Sequence, residues 1–251
     1  MKLCIVIPYY NHGDAIATVL ASLRNFDLPC FVVDDGSNVE AKAKLTRAAG
    51  AEKNVIVLTR EENGGKGAAV MTGCDGALAA GFTHALQIDA DGQHSANDVA
   101  RFIATARTEP DAVICGRAIY DDSVPQSRLY GRYVTHVWVW INTLSFQIKD
   151  SMCGLRVYPL ATTCNVWRHA RLGKRMEFDV EIMVRLAWAG VPVVNVAAHV
   201  NYPTDGVSHF RVWRDNALIT GMHARLFMGM LLRAPRLIGR RIFTATTKTA
   251  I

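Results

Sequence analysis

Short apolar runs alternate with amphipathic stretches through the first half of the chain. Leu3–Pro8, Cys30–Asp34, Asn54–Thr59, His84–Asp89 and Ala112–Cys115 have strand length and are nearly continuous in apolar residues. Between them, Ala15–Asn25, Glu40–Ala49, Lys66–Ala80 and Ala96–Arg107 carry helical spacing. Strands without polar alternation, each followed by a helix, predict a mostly parallel sheet covered on both faces. The second half reads differently. Gly116–Ser127 is polar and turn-rich, which predicts a mobile loop, and Leu129–Ile148 predicts an amphipathic helix carrying Tyr133, Trp138, Trp140 and Phe146. Arg156–Tyr158 and Val191–Val196 predict strands, Glu177–Ala189 a helix, Tyr202–Phe210 a loop, and Asp215–Leu232 an apolar helix bearing arginines. No repeat or low-complexity linker interrupts the pattern. One domain over 1–211 is therefore expected, with a basic amphipathic helical segment, 212–251, packed on it or on a membrane.

Composition narrows the setting. A chain of 251 residues with 50% hydrophobic and 20% charged residues has ample material for one core. Cysteines stand at 4, 30, 74, 115, 153 and 164, none in a Cys-x-x-Cys pair and most in apolar runs. That pattern predicts buried, reduced thiols and excludes a zinc site. The net charge of +6 is concentrated late: Arg211, Arg214, Arg225, Arg233, Arg236, Arg240, Arg241 and Lys248 face one acid, Asp215. Such a segment suits phosphates, nucleic acid or an anionic membrane. No nucleic-acid recognition motif accompanies it, so nucleic acid is not an expected partner. No signal peptide opens the chain, and no apolar run reaches the roughly 20 residues of a membrane span. The expected location is the cytoplasm, including the inner face of the cytoplasmic membrane.

The chemistry collects where strands end. Leu86–Gln87–Ile88 runs into Asp89–Ala90–Asp91–Gly92–Gln93–His94, two carboxylates one residue apart. Ligands of open parallel sheets bind at the carboxyl ends of strands, and two acids there repel unless a cation separates them. Carboxylate and amide oxygens suit a hard divalent ion, Mn2+ or Mg2+. Asp34–Asp35–Gly36–Ser37 ends the second strand and fits either a base or ribose contact or an Asx-turn with a helix cap. Pro8–Tyr9–Tyr10–Asn11 is either a turn or a wall for a base. Asn63–Gly64–Gly65–Lys66–Gly67 opens a helix with room for an anion, but it is neither a Walker loop nor Gly-x-Gly-x-x-Gly. Arg117, after the fifth strand, is placed to grip a diphosphate or to make a surface ion pair.

In their order these motifs resemble the family 2 glycosyltransferases of GT-A fold, and most closely the dolichyl-phosphate mannose synthase and polyprenyl-phosphate glycosyltransferase subgroup. Further matches are Asp150–Ser151–Met152–Cys153–Gly154–Leu155–Arg156 and Glu177–Phe178–Asp179–Val180–Glu181. The resemblance implies an inverting transfer from a UDP- or GDP-linked sugar. It implies nucleotide-sugar contacts from Pro8, Tyr10, Asp35, Lys66, Asp89, Asp91 and Arg117, and a metal held by Asp89, Asp91 and Gln93. It implies a lipid-linked acceptor, with Arg156, Glu181, Ser208, His209 and Arg211 on the acceptor side. An acceptor hydroxyl needs a base, for which Asp150, Asp179 and Glu181 are candidates, Asp179 foremost; an acceptor phosphate is already ionised and needs none. The chain departs from the family pattern at His12, where an acid is usual, and at Ser208–His209, where Ser-Lys is usual. Alternatives are transfer to the hydroxyl of a soluble or glycolipid acceptor, and a silent nucleotide-sugar-binding protein.

Overall fold

A computed structural model describes residues 1–13, 15–119, 126–199 and 212–249, with side chains except at 126–130, 212 and 241–249. The strands are β1 (Leu3–Tyr9), β2 (Cys30–Asp35), β3 (Val55–Arg60), β4 (His84–Gln87), β5 (Val113–Ile119), β6 (Arg156–Pro159) and β7 (Val193–His199). The helices are α1 (Ile16–Leu23), α2 (Val39–Gly50), α3 (Lys66–Ala79), α4 (Ala96–Thr108), α5 (Gln126–Thr143), α6 (Leu160–Arg168), α7 (Phe178–Ala189) and α8 (Val212–Thr249). One sheet runs β3-β2-β1-β4-β6-β5-β7. All pairings are parallel except those of β6, which lies antiparallel between β4 and β5.

The strands alternate faces, so β1 feeds two cores. Cys4 and Val6 join α3, α6, α7 and α8 through Cys74, Trp167, Phe178 and Leu226. Ile5 and Ile7 join α1 and α4 through Ile16, Leu20 and Phe102. All six cysteines are buried and unpaired, as their apolar settings predict.

Several boundaries differ from expectation for identifiable reasons. Gly116–Ile119 is strand, not loop: it pairs in register with Val196–His199 of β7, and that ladder outweighs its polar composition. Residues 120–125 of the expected loop lie outside the described residues. β4 stops at Gln87, although the Ile88 amide still donates to Val6 O at 3.1 Å, and Asp89 and Asp91 sit on a turn with Gly92 at φ +75°. α6 was not expected; it starts directly on Pro159, the end of β6. The expected Tyr202–Phe210 loop lies outside the described residues.

α8 packs along α5 and α7 through buried Met222, Leu226, Met230 and Leu237. Three of the arginines read as a basic tail have partners in the domain. Arg225 reaches Glu181 at 3.4 Å, Arg233 lies 4.7 Å over the Trp188 ring, and Arg240 donates to Trp188 O at 2.8 Å. Among the described residues no helix is long and apolar enough to cross a membrane.

Candidate active site

β1, β2, β3, β4, β5 and β7 all point their carboxyl ends to one edge of the sheet, and antiparallel β6 begins there. That edge gathers the turns after β1, β2, β3 and β4, the lead into β6, and the start of α7.

Lys66 is its electrostatic centre. Its Nζ lies 2.9 Å from Asp89 and 2.8 Å from Asp179 Oδ2. Burial works against the ammonium, but Asp179 and Asp89 outweigh it and hold Lys66 above its ordinary value. Burial likewise works against the Asp89 carboxylate, and Lys66 reverses that, keeping Asp89 below its ordinary value. Gly67 permits this meeting of α3 with α7, because a Cβ there would lie 2.5 Å from the Phe178 side chain.

Among the described residues Asp91 has no ion pair, and Lys66 acts on it only weakly. Burial first, and then the charge of Asp89, push its carboxyl up to about 6, while Oδ1 accepts from the Gln93 amide at 3.1 Å. On the same turn His94 Nδ1 is buried with no hydrogen-bond partner. A carboxyl raised by burial and by its twin, and an orphaned ring nitrogen, mark a turn shaped for a polar ligand. The oxygen donors Asp89, Asp91 and Gln93 fit Mn2+ or Mg2+. No trio of His, Cys, Asp and Glu closes round a metal among the described residues, so substrate oxygens and water would complete the coordination of such an ion. Bound there, it would supply positive charge to a diphosphate.

The other expected residues divide. Arg117 is exposed and has no ion pair among the described residues. Pro8 is buried in β1, and Tyr10 beyond it is half-buried. Asp35 is 2% exposed and engaged by the chain itself, its oxygens accepting from Arg60 Nε at 2.7 Å and from the Gly64 and Gly65 amides at 3.0 and 2.7 Å. The glycine turn that reads as an anion cradle thus already holds an anion, Asp35, at the N-terminus of α3.

The three candidate bases are all committed. Asp150 accepts twice from Arg132 Nη2, at 3.0 and 2.8 Å, and from the amides of Met152, Cys153 and Ala118. Burial is outweighed by His136, Arg132 and the Met152 amide, which hold Asp150 well below the usual carboxylate range. Glu181, wholly buried, accepts from the Gly173 amide at 2.8 Å and pairs with Arg185 at 2.6 Å and with Arg225. It joins α7, α8 and the preceding loop. Asp179 holds Lys66. Arg156, expected on the acceptor side, is also wholly buried, donating to the carbonyls of Ser151, Cys153 and Asp179. Ser208, His209 and Arg211 lie outside the described residues.

Reading the sequence missed Arg60, Arg132, Gln87 and Tyr158. Arg60 had a signal, since it ends β3 as Asp35 ends β2. Gln87 had one too: an amide inside a buried apolar strand demands a partner.

The fold is shared with the crystal structure of glucosyl-3-phosphoglycerate synthase from Mycobacterium tuberculosis in complex with Mn2+ and UDP-glucose. The TM-score is 0.66 at 12% identity, over 91% of this chain and 78% of that one. By sequence, the chain is 27% identical to an undecaprenyl-phosphate mannosyltransferase of Micrococcus luteus, over 78% of this chain and 82% of that protein. It is 26% identical to a polyprenol monophosphomannose synthase of Mycolicibacterium smegmatis, over 76% and 74%. The sequence model of glycosyl transferase family 2 matches residues 4–172. The chain belongs to that family, and it is a glycosyltransferase of GT-A fold.

Proposed function

We propose that the protein transfers a sugar from a nucleoside-diphosphate sugar to a polyprenyl phosphate, with inversion and with a divalent cation. One observation carries the acceptor: Asp150, Asp179 and Glu181 are each held as the counter-ion of a buried or half-buried Arg or Lys. A hydroxyl acceptor must lose a proton to a base, whereas a phosphate monoester is already an anion at neutral pH. With none of these three carboxylates free to take a proton, an acceptor that brings none to lose fits the site. The names of the two relatives agree with it.

In this reading an acceptor phosphate oxygen attacks the anomeric carbon from the face opposite the diphosphate. The bond from that carbon to the diphosphate oxygen breaks, and its electron pair leaves with the nucleoside diphosphate. Arg117 and Lys66 contact the departing diphosphate, and Asp89, Asp91 and Gln93 would hold a divalent ion, which would supply positive charge to it. Turnover with undecaprenyl phosphate and with undecaprenol, using UDP- and GDP-sugars with Mn2+, tests the acceptor. Product is expected from the phosphate alone; equal turnover of the alcohol would overturn the reading.

A lipid acceptor implies a lipid surface. Beside the seam between α5 and α8, where Trp138 meets Phe227 edge-to-face at 6.1 Å, Tyr133, Val137, Ile141, Met228 and Leu232 are exposed. Arg214 and Arg236 on α8 are exposed as well. Apolar side chains with arginines nearby suit an anionic bilayer interface. Deleting α8 would uncover the core, so point variants are the cleaner test. The native protein is expected to float with vesicles containing anionic phospholipid. The Val137→Glu, Leu232→Glu double variant is expected to stay behind with an unchanged thermal midpoint. Equal flotation of both would discard this face.

A further inference from the structure

Behind the donor turn, three polar side chains sit where a core would ordinarily be apolar. Gln87, Arg156 and Tyr158 have no exposed surface. Tyr158 Oη donates to Gln87 Oε1 at 3.0 Å, and Gln87 Nε2 reaches Asp179 Oδ1 at 3.4 Å. Arg156 Nη1 donates to Asp179 O at 2.8 Å and to Tyr158 Oη at 3.2 Å, and lies 3.6 Å from Asp179 Oδ1. Asp179 Oδ2 is left to Lys66, and Lys66 to Asp89. Charges therefore alternate along one line, Arg156, Asp179, Lys66, Asp89, ending at the donor turn.

The odd direction of β6 makes this line. Running antiparallel to β4, it sets Arg156 opposite Gln87, and Tyr158, two residues on, faces the same side. A buried guanidinium is tolerated only when its hydrogens are fully used, and here carbonyls, a phenol and a carboxylate use them. A sheet that required only packing would carry apolar residues at these positions.

We infer that Gln87, Tyr158 and Arg156 are positioning residues: they fix the Asp179 carboxylate so that it holds Lys66 at the diphosphate, and Asp179 acts as the counter-charge of Lys66 and not as a base. The inference rests on the proposed contact of Lys66 with the donor diphosphate. Tyr158→Phe is the smallest break in the line. It removes one hydroxyl, leaves Gln87 Oε1 without its donor, and so frees the amide that restrains Asp179.

A double-mutant cycle decides whether Tyr158 works through Lys66 or through general packing. The readout is calorimetric affinity for UDP and for GDP, each with Mn2+. Tyr158→Phe is expected to weaken binding roughly 3- to 10-fold in the native chain and less than about 2-fold in the Lys66→Met background. An equal loss in both backgrounds, or none in the native chain, would overturn the inference. A second cycle needs no ligand: urea midpoints of Tyr158→Phe and Asp179→Asn, alone and combined. Non-additive shifts are expected, and additive ones count against the link. Should the native chain bind neither diphosphate, the donor reading falls, while the urea cycle still decides whether Tyr158 holds Asp179.

Discussion

Asp91→Asn is expected to make the metal-free protein more stable at pH 8 and to abolish Mn2+-dependent binding of nucleoside diphosphate. The two effects have one cause. Asp91 is partly buried beside the Asp89 charge, and its carboxyl is raised from an ordinary 3.8 to about 6. A carboxyl raised by folding binds more protons folded than unfolded between those values, so its contribution to stability falls as pH rises from about 4 to about 6. Above 6 the whole cost is present, roughly 2–3 kcal/mol at the donor turn. The amide of Asn carries no charge, and its oxygen can still accept from the Gln93 amide. The variant's thermal midpoint should therefore exceed that of the native protein by roughly 4–10 °C at pH 8, and the gap should close below about pH 4. Mn2+ should raise the native midpoint and leave the variant unmoved, because binding to the folded state alone stabilises it. Melting curves from pH 4 to 8, with and without Mn2+, read all of this. A variant less stable at pH 8, or still stabilised by Mn2+, would remove the metal from Asp91. Such a gain in stability on loss of function is expected where a site stores like charges for a ligand.

What the sequence makes legible here is the strand ends. Four of the five early apolar runs stop at a residue with obvious chemistry, so the runs ending near Pro8, Asp35, Asp89 and Arg117 could be placed on one edge before any side chain was located. The direction of β6 was not legible. Four residues, Arg156–Pro159, carry no mark of parallel or antiparallel pairing, and a buried arginine there reads like a ligand residue until its hydrogens are counted. Charge partners were hidden for a related reason. Lys66, Asp89 and Asp179 each suggest a substrate contact alone, and only the approach of α3 to α7 at Gly67 and Phe178 shows them neutralising one another. The arginines of α8 read as a basic face for phosphates or an anionic membrane because the sequence does not show Glu181 or Trp188 beside them. Cysteine burial was legible, since the apolar context is local.

Gly154→Ala is expected to weaken donor binding strongly while leaving the fold intact, although residue 154 contributes no functional group. A Cβ built on Gly154 would overlap the Asp89 carboxylate, 2.6 Å from Cγ and 2.8 Å from Oδ1 and closer still to Oδ2. The backbone cannot retreat. Cys153 N on one side donates to Asp150 Oδ1 at 3.2 Å, and Leu155 O on the other accepts from the Gly116 amide at 3.0 Å. Asp89 must therefore swing, and it leaves Lys66 and the ion position together. Overpacking of this kind costs about 1–3 kcal/mol, a loss the fold survives. Losing a carboxylate of the proposed ion site should weaken Mn2+-dependent binding on the order of 100-fold. Gly131→Ala is the control: a Cβ there meets nothing within 4 Å, so in α5 it should be neutral or slightly stabilising. Adding Asp89→Ala to Gly154→Ala removes the clash but also one counter-charge of Lys66, so the binding should not return. If Gly154→Ala alone keeps its affinity for nucleoside diphosphate and Mn2+, the ion is held somewhere other than Asp89. The glycine of this motif would then serve only the close approach of Cys153 and Leu155 to β5.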